Sequence, residues 1–281
     1  MPEPTFALLG AAGYIAPRHI DAIHKVGGRL LAACDPHDSV GVLDRYGEDV
    51  QFFPHVEQFD RWLDKQNRSK EPVDYVVVAT PNHLHDSHAR LAMRSDSDVI
   101  LEKPATLTTR NLEALQVVEV DTEQRVHCIL QLRHSLAVQK LQAAVSTGHR
   151  GTITYHVDRG PWYGYSWKGD IDRSGGIITN IGVHLFDILV WLYGNPIQPP
   201  KSFGSAQHKG GTLWLERGTF DWDIAVGTDM PTRHFQVDGT SFDLSDEIGT
   251  LHETSYRKIL SNEGWSLQDA RPGIAVCEAL R

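Results

Sequence analysis

Cysteine is scarce: only Cys34, Cys128 and Cys277 occur in 281 residues, and no two are neighbours. An odd, scattered set with no C-x-x-C pair argues against a disulfide scaffold and a cysteine zinc site, and suits the reducing cytoplasm. Basic residues are also in deficit. Lys and Arg number 27 against 36 Asp and Glu, a formal net charge of −9. Nucleic-acid binding draws on a basic surface, so that class of partner is not expected. Long apolar runs are missing too. The most apolar later stretch, Gly176 to Gly194, is broken by Asn180, His184 and Asp187, so no membrane partner is expected. The first residues hold glycines and no basic leader, so a signal peptide is not expected. What is present is a chain 41% hydrophobic and 22% charged, long enough for one large domain or two ordinary ones.

Apolar periodicity divides the chain in two. Residues 5–9 (TFALL) read as a buried strand, followed by a glycine turn and a helix from Ala16 to about Val26. Leu30–Cys34, Asp74–Ala79, Val99–Leu101 and Val126–Leu132 are further strands, with helical stretches at His88–Arg94 and Arg110–Val120. That alternation predicts βαβ units and a parallel sheet. After about residue 133 the pattern changes. A helix over Leu136–Val145 precedes a strand at Thr152–Val157, an aromatic loop and a long helix from Gly176 to Trp191. Strands at Leu213–Glu216, Thr219–Ile224, His234–Val237 and Ser241–Leu244 follow, with Asp238-Gly239 as a turn, and a helix near His252–Leu260 closes the chain. An α/β chain is therefore expected, with one domain over 1–132 and a second, mostly antiparallel one over 133–281.

In open α/β sheets a ligand lies at the carboxyl ends of the strands. The first strand ends in Gly10-x-x-Gly13-x-x-Ala16, one residue longer than the usual dinucleotide fingerprint. Such a turn lets backbone amides and a helix N-terminus meet a pyrophosphate, which assigns Gly10, Ala12, Gly13, Tyr14 and Ile15 to a cofactor. The second strand ends in Asp35, where a carboxylate accepts from a ribose diol and repels a 2′-phosphate, favouring NAD over NADP. An ordinary turn residue beside Pro36 is the competing role. Thr80, Asn82, His85, Glu102, Lys103 and Gln131 lie at or beyond the other strand ends and are assigned to the cofactor side. His83, His85 and His88 also suggest a metal, but no compact carboxylate cluster accompanies them, and no metal is expected.

Asn180, His184 and Asp187 sit at i, i+4 and i+7, one face of a continuous helix. A core histidine with a hydrogen-bond partner is one reading; a general base near a hydroxyl is the other. Lys103 is placed to donate to a hydroxyl or nascent carbonyl oxygen, and the proline after it favours a cis peptide. The run Arg159-Gly-Pro-Trp162-Tyr163-Gly-Tyr165-Ser-Trp167-Lys168 interleaves aromatic faces with cations. It suits a sugar or base together with anionic groups, or a subunit interface.

These segments together resemble the Gfo/Idh/MocA oxidoreductases across nearly the whole chain. The matching pieces are GAAGYIAPRH, the CDP after the second strand, VVVATPNHLHDSHA, LEKP and GGIITNIGVHLFD. DPHDSVG, RGPWYGYSWKGDIDRSGG and TNIGVHLFD look like the UDP-N-acetylglucosaminuronate 3-dehydrogenases within that family. The resemblance implies an N-terminal Rossmann domain and a C-terminal α/β domain with a large, mostly antiparallel sheet. One face of that sheet would pack in a homo-oligomer, a tetramer or dimer. It implies NAD, a UDP-sugar substrate, oxidation at C3, and 2-oxoglutarate as an oxidant for NADH in some relatives. Many members pair the EKP lysine with Asp-x-x-x-His; the matching positions here are Lys103, Asn180 and His184. An amide cannot sustain an imidazolium by charge, so Asn180 orients and a Lys103–His184 pair handles the proton. Arg159, Tyr163 and Lys168 are then assigned to the substrate. A dehydrogenase for another pyranoside or cyclitol, and an NAD-binding sensor or assembly protein without turnover, are the rival expectations.

Overall fold

The computed structural model describes residues 3–45, 49–244 and 250–281. These form two compact units, each made of separate stretches of chain.

The first unit is Met1–Ala105, Arg110–Ile129 and His252–Leu267. Its elements are β1 (Thr5–Leu9), α1 (Ala16–Lys25), β2 (Arg29–Cys34), β3 (Gln51–Phe53), α2 (Val56–Arg68), β4 (Tyr75–Val78), α3 (His85–Met93), β5 (Asp98–Leu101), α4 (Thr109–Thr122) and β6 (Val126–Cys128). The six strands lie in the order β3-β2-β1-β4-β5-β6, and every neighbouring pair is parallel. Strands such as YVVV and DVIL are apolar along their length because helices cover both faces of such a sheet. On α1, Ala16, Ile20 and Ile23 recur at helical spacing and are buried. The order reverses between β1 and β4, and ligands of doubly wound sheets bind at that switch point.

The second unit is Thr106–Thr109, Leu130–Leu251 and Gln268–Arg281. It contains α5 (Leu136–Ala144), β7 (His149–Val157), α6 (Trp162–Tyr165), α7 (Ile171–Ser174), α8 (Gly176–Asn180), α9 (Val183–Tyr193), β8 (Lys201–Gly204), β9 (His208–Leu215), β10 (Gly218–Val226), β11 (Thr232–Val237) and β12 (Thr240–Asp243). The sheet order is β12-β11-β7-β10-β9-β8, antiparallel except for the parallel pair β7–β10. Burial alternates along the middle of β10. Phe220, Trp222 and Ile224 enter the core, while Asp221 and Asp223 point the other way. Phe186 of α9 meets Trp222 edge to face, with ring centroids 5.2 Å apart.

The chain ends in α10 (Leu251–Leu260) and α11 (Leu267–Leu280). The expected boundary at residue 132 gave each half one continuous stretch. The segment 252–267 instead belongs to the first unit, because Tyr256 and Ile259 of α10 are part of that unit's core. The helix near 252–260 does not close the chain either, since α11 follows it; Pro272 and Gly273 inside α11 disguise its pattern. The strand β3, helix α2 and strand β8 were not expected. On α2 only Phe59 and Leu63 are buried, so charged residues mask the apolar stripe.

The expected single helix over 176–191 is two. They are α8 and α9, separated at Ile181 and Gly182, and the run Ile171–Asn180 meets α9 at 48°. The Gly182 amide donates to Ile177 O, a wider turn than the α-helix allows, and Leu185 N then donates to Gly182 O, a tighter one. Packing explains why glycine stands at the break. A Cβ there would lie 2.4 Å from Ile178 O and 2.7 Å from both Ile224 Cδ1 and Phe186 Cε2. Asn180 and His184 consequently belong to different helices, and the shared face expected of 180, 184 and 187 does not exist. No single helix among the described residues is long and apolar enough to cross a membrane.

Gly182→Ala should therefore lower the stability of the second unit by about 1–3 kcal/mol through overpacking. Urea denaturation followed by tryptophan fluorescence measures this; an unchanged midpoint would show that the break is not packing-enforced.

Candidate active-site residues

In the first unit the turn after β1 passes the end of β4 as bare backbone. Gly10 has φ +95°, and a Cβ on it would lie 2.6 Å from Ala79 O and 2.9 Å from Thr80 N. Helix α1 begins just beyond. It has no side-chain cap and no acid in its first turn, so its positive end is not neutralised locally. Asp35 is 7% exposed at the end of β2. Its Oδ2 accepts from Ala12 N at 3.0 Å and its Oδ1 from His37 N at 2.9 Å. The carboxylate thus fixes the glycine turn, and each oxygen retains a second lone pair for another donor. Tyr14 is exposed beside this turn, and Asn82 is buried beyond β4.

Glu102 is buried at the end of β5, and its carboxylate turns inward. Oε1 lies 3.1 Å from His19 Nε2 and 3.0 Å from His252 Nε2, and Oε2 accepts from the Lys103 amide at 3.1 Å. His19 Nδ1 in turn lies 2.9 Å from Tyr256 OH. Burial works against the Glu102 charge, but the hydrogen bonds from His19 and His252 outweigh it and hold the carboxyl well below its usual range. Glu102, assigned to the cofactor from its position in the sequence, is therefore an anchor for Lys103, which follows it on a cis peptide to Pro104. His19, His252 and Tyr256 escaped the sequence reading.

His85 has the same inward character. Its Nδ1 lies 2.7 Å from Pro104 O and its Nε2 2.8 Å from Thr80 O, and the neutral ring donates its one N–H to one of these two carbonyls. With both ring nitrogens facing carbonyls, His85 offers no ligand to a metal beside His83. His88 faces Thr80 Oγ1 at 3.0 Å.

In the second unit Asn180 Nδ2 donates to Tyr163 OH at 2.8 Å, and both residues are buried. Burial pushes the Tyr163 hydroxyl up against the opposing effects of Asn180 and Arg159, so it keeps its own proton. The half-buried His184 ring stacks on Tyr155, centroids 6.1 Å apart and 27° from parallel. The amide of Asn180 and the imidazole of His184 thus each have an aromatic partner. Asp187 is spoken for elsewhere. Its carboxylate takes a two-pronged pair from Arg133, at 2.9 Å from Nε and 2.7 Å from Nη2, with Arg133 also donating to Asp269 O. Lys168 sits over the Trp167 ring at 4.2 Å and the Trp162 ring at 5.5 Å, so the cation and the aromatics of that loop first serve one another. Gln131 is buried with its Oε1 lacking a hydrogen-bond partner.

Residues 5–131 match the oxidoreductase family with an NAD-binding Rossmann fold, and residues 138–230 match the GFO/IDH/MocA C-terminal domain. The chain belongs to the GFO/IDH/MocA oxidoreductase family. Its first unit is that family's Rossmann fold, and NAD is the cofactor. The bare backbone at Gly10, the uncapped start of α1 and the placement of Asp35 fit a dinucleotide. This family member is similar to the WlbA (WbpB) dehydrogenase from Thermus thermophilus, solved with NAD and alpha-ketoglutarate and with NAD and UDP-GlcNAcA. That likeness has a TM-score of 0.94 at 36% identity and covers 98% of this chain and 93% of the other. It is also 28% identical over 200 residues to an inositol 2-dehydrogenase of Rhizobium meliloti, covering 67% of this chain and 54% of that protein. The putative oxidoreductase YteT of Bacillus subtilis is 25% identical over 189 residues, 62% of this chain and 44% of that protein. The chain spans about half the length of the curated relatives it matches.

The buried histidines give the molecule a pH signature. Burial lowers the pKa of His85 and His252, and burial with nearby His85 and His83 pushes His88 down to about 4. The unfolded chain takes up these protons near pH ~6.5 while the folded chain refuses them. Stability should therefore fall as the pH drops from about 6.5 towards 4, and Glu102 adds its own loss below its ordinary 4.5. Urea midpoints measured across this range check the trend, and His88→Gln should flatten it. A midpoint independent of pH would contradict the buried neutral histidines.

Proposed function

We propose that the chain oxidises the C3 hydroxyl of UDP-2-acetamido-2-deoxy-D-glucuronate to the 3-oxo sugar, in bacterial surface-polysaccharide nucleotide-sugar synthesis. The observation that carries this reading is the likeness to a 36% identical dehydrogenase, solved with NAD and UDP-GlcNAcA, over 98% of this chain. The motifs RGPWYGYSWKGDIDRSGG and TNIGVHLFD support the same choice of substrate.

The residues then take the following parts. Gly10, Ala12, Gly13, Tyr14 and Ile15 hold the pyrophosphate through backbone amides, and Asp35 accepts from a ribose hydroxyl. Thr80, Asn82 and Gln131 line the cofactor, while His85 and Glu102 act from behind, holding the loops that carry Thr80 and Lys103. Bound NAD supplies the hydride acceptor, and 2-oxoglutarate, seen with NAD in the Thermus thermophilus relative, restores the oxidised cofactor. His184 takes the hydroxyl proton as a neutral imidazole, oriented by its stack on Tyr155. Lys103 donates to the same oxygen as carbonyl character develops. Asn180, tied to Tyr163, orients the sugar, and Arg159, Tyr163 and Lys168 meet its anionic and polar groups. A cytoplasmic homo-oligomer, tetramer or dimer, belongs to the same proposal.

The inositol 2-dehydrogenase relative favours one second reading, a dehydrogenase for a cyclitol or another pyranoside. Incubating the purified chain with NAD and UDP-GlcNAcA separates the two. The proposal expects a 3-oxo product with NADH, or with 2-hydroxyglutarate when 2-oxoglutarate is added. Turnover of inositol with every UDP sugar inert would favour the second reading. His184→Ala should lower kcat by about 10²–10⁴-fold, the range of a lost general base. Asp35→Arg should abolish NAD binding measured by calorimetry; undiminished affinity would remove Asp35 from the ribose.

A further inference from the structure

We propose that His156, His208 and Asp223 form a binding site for one divalent transition-metal ion, of the zinc class, on the face of the second unit's sheet that carries Asp221 and Asp223. The proposal stands apart from the oxidation reaction and involves none of its residues. The three side chains come from three adjacent strands, β7, β9 and β10. Ala225 of β10 is flanked in register by His156 on β7 and His208 on β9. Asp223 precedes Ala225 by two residues, so it projects from the same face. The ladder hydrogen bonds thus fix the spacing of all three groups.

Both imidazoles aim the same atom at one carboxylate. His208 Nε2 lies 2.9 Å from Asp223 Oδ2 and 3.1 Å from Oδ1, and His156 Nε2 pairs with Oδ1. The rings stand 5.9 Å apart at 80°, so their nitrogens converge without stacking. The three donor atoms all lie within 4.8 Å of one another. Tetrahedral zinc with bonds of about 2.0–2.2 Å holds its ligand atoms about 3.4 Å apart, so both imidazoles must draw back from the carboxylate to seat an ion, His156 further than His208. Without a metal, Asp223 accepts from an N–H on each ring. With one, each neutral ring moves that proton to Nδ1 and turns the freed Nε2 lone pair to the ion.

The donor set decides the class of metal. Two imidazoles and a carboxylate suit zinc, nickel or copper, whereas magnesium and calcium take oxygen ligands. Within one chain His208 is exposed, and His156 and Asp223 are half-buried. The residues opposite Asp223 in the ladder are Gly210 and Thr154, neither of which brings a competing charge. The His19–Glu102–His252 group has similar spacing but a different character. It is buried throughout, and His19 Nδ1 is held by Tyr256.

Full-length protein carrying no histidine tag, titrated with zinc against a chromophoric chelator, should bind one equivalent per chain. Cobalt in its place should give the visible absorption of a low-symmetry site. His208→Ala and Asp223→Asn should each abolish that equivalent, while His55→Ala, at an exposed histidine outside the cluster, should retain it. His208→Ala changes an exposed side chain, and circular dichroism checks that its fold is kept. Failure of the wild-type chain to compete with the chelator, or one equivalent persisting in both cluster variants, would overturn the proposal.

Discussion

The carboxylate of Glu102 is buried, and a buried charge is tolerated only where donors surround it. Here the donors come from three places in the chain: His19 on α1, His252 on α10 and the amide of Lys103. That one requirement fixes much of the first unit. It draws α1, whose N-terminus follows the glycine turn, towards the end of β5. It recruits a helix from the far end of the sequence into the Rossmann core, which is why this unit is discontinuous. It also sets the start of the Lys103 loop, while the buried His85 ring packs between the carbonyls of Pro104 and Thr80. The glycine turn and the EKP segment therefore share a hydrogen-bonded frame.

The second unit repeats the logic with an ion pair. Arg133 and Asp187 bury opposite charges in a two-pronged contact and add Asp269 O as a third acceptor. Removing one partner of such a pair costs about 3–5 kcal/mol, so Asp187 has a structural task that accounts for its presence. With α9 held this way, the break at Gly182 turns α8 against it and gives Asn180 and His184 separate settings. One receives Tyr163 and the other Tyr155. An amide at position 180 suits this division, because it donates to a phenol and carries no charge to be buried.

The legible parts of the sequence were those written in short-range patterns. Apolar strands such as TFALL and DYVVVA, the glycine turn and the Asp238-Gly239 hairpin turn all stand where the pattern put them; Asp238 and Gly239 have φ +49° and +83°. What could not be read is what depends on distance along the chain. His252 reaches Glu102 across 150 residues, and nothing local to either marks the pairing. The helical spacing of Asn180, His184 and Asp187 misled because the wheel assumes an unbroken helix. Steric crowding at Gly182, contributed by Ile224 of a distant strand, ends it. Lys168 was read for its charge, yet its Trp167 and Trp162 neighbours were equally part of the motif and take the ammonium first.

The central claim is that the hydride acceptor of this family member works on carbon 3 of a UDP-linked aminuronic acid. UDP-GlcNAcA carrying deuterium at C3 tests it directly. The account predicts that the label appears in the reduced cofactor, or in 2-hydroxyglutarate when 2-oxoglutarate is supplied, and that single turnover is slowed by a primary isotope effect. Label retained in the sugar while the cofactor is reduced would contradict it.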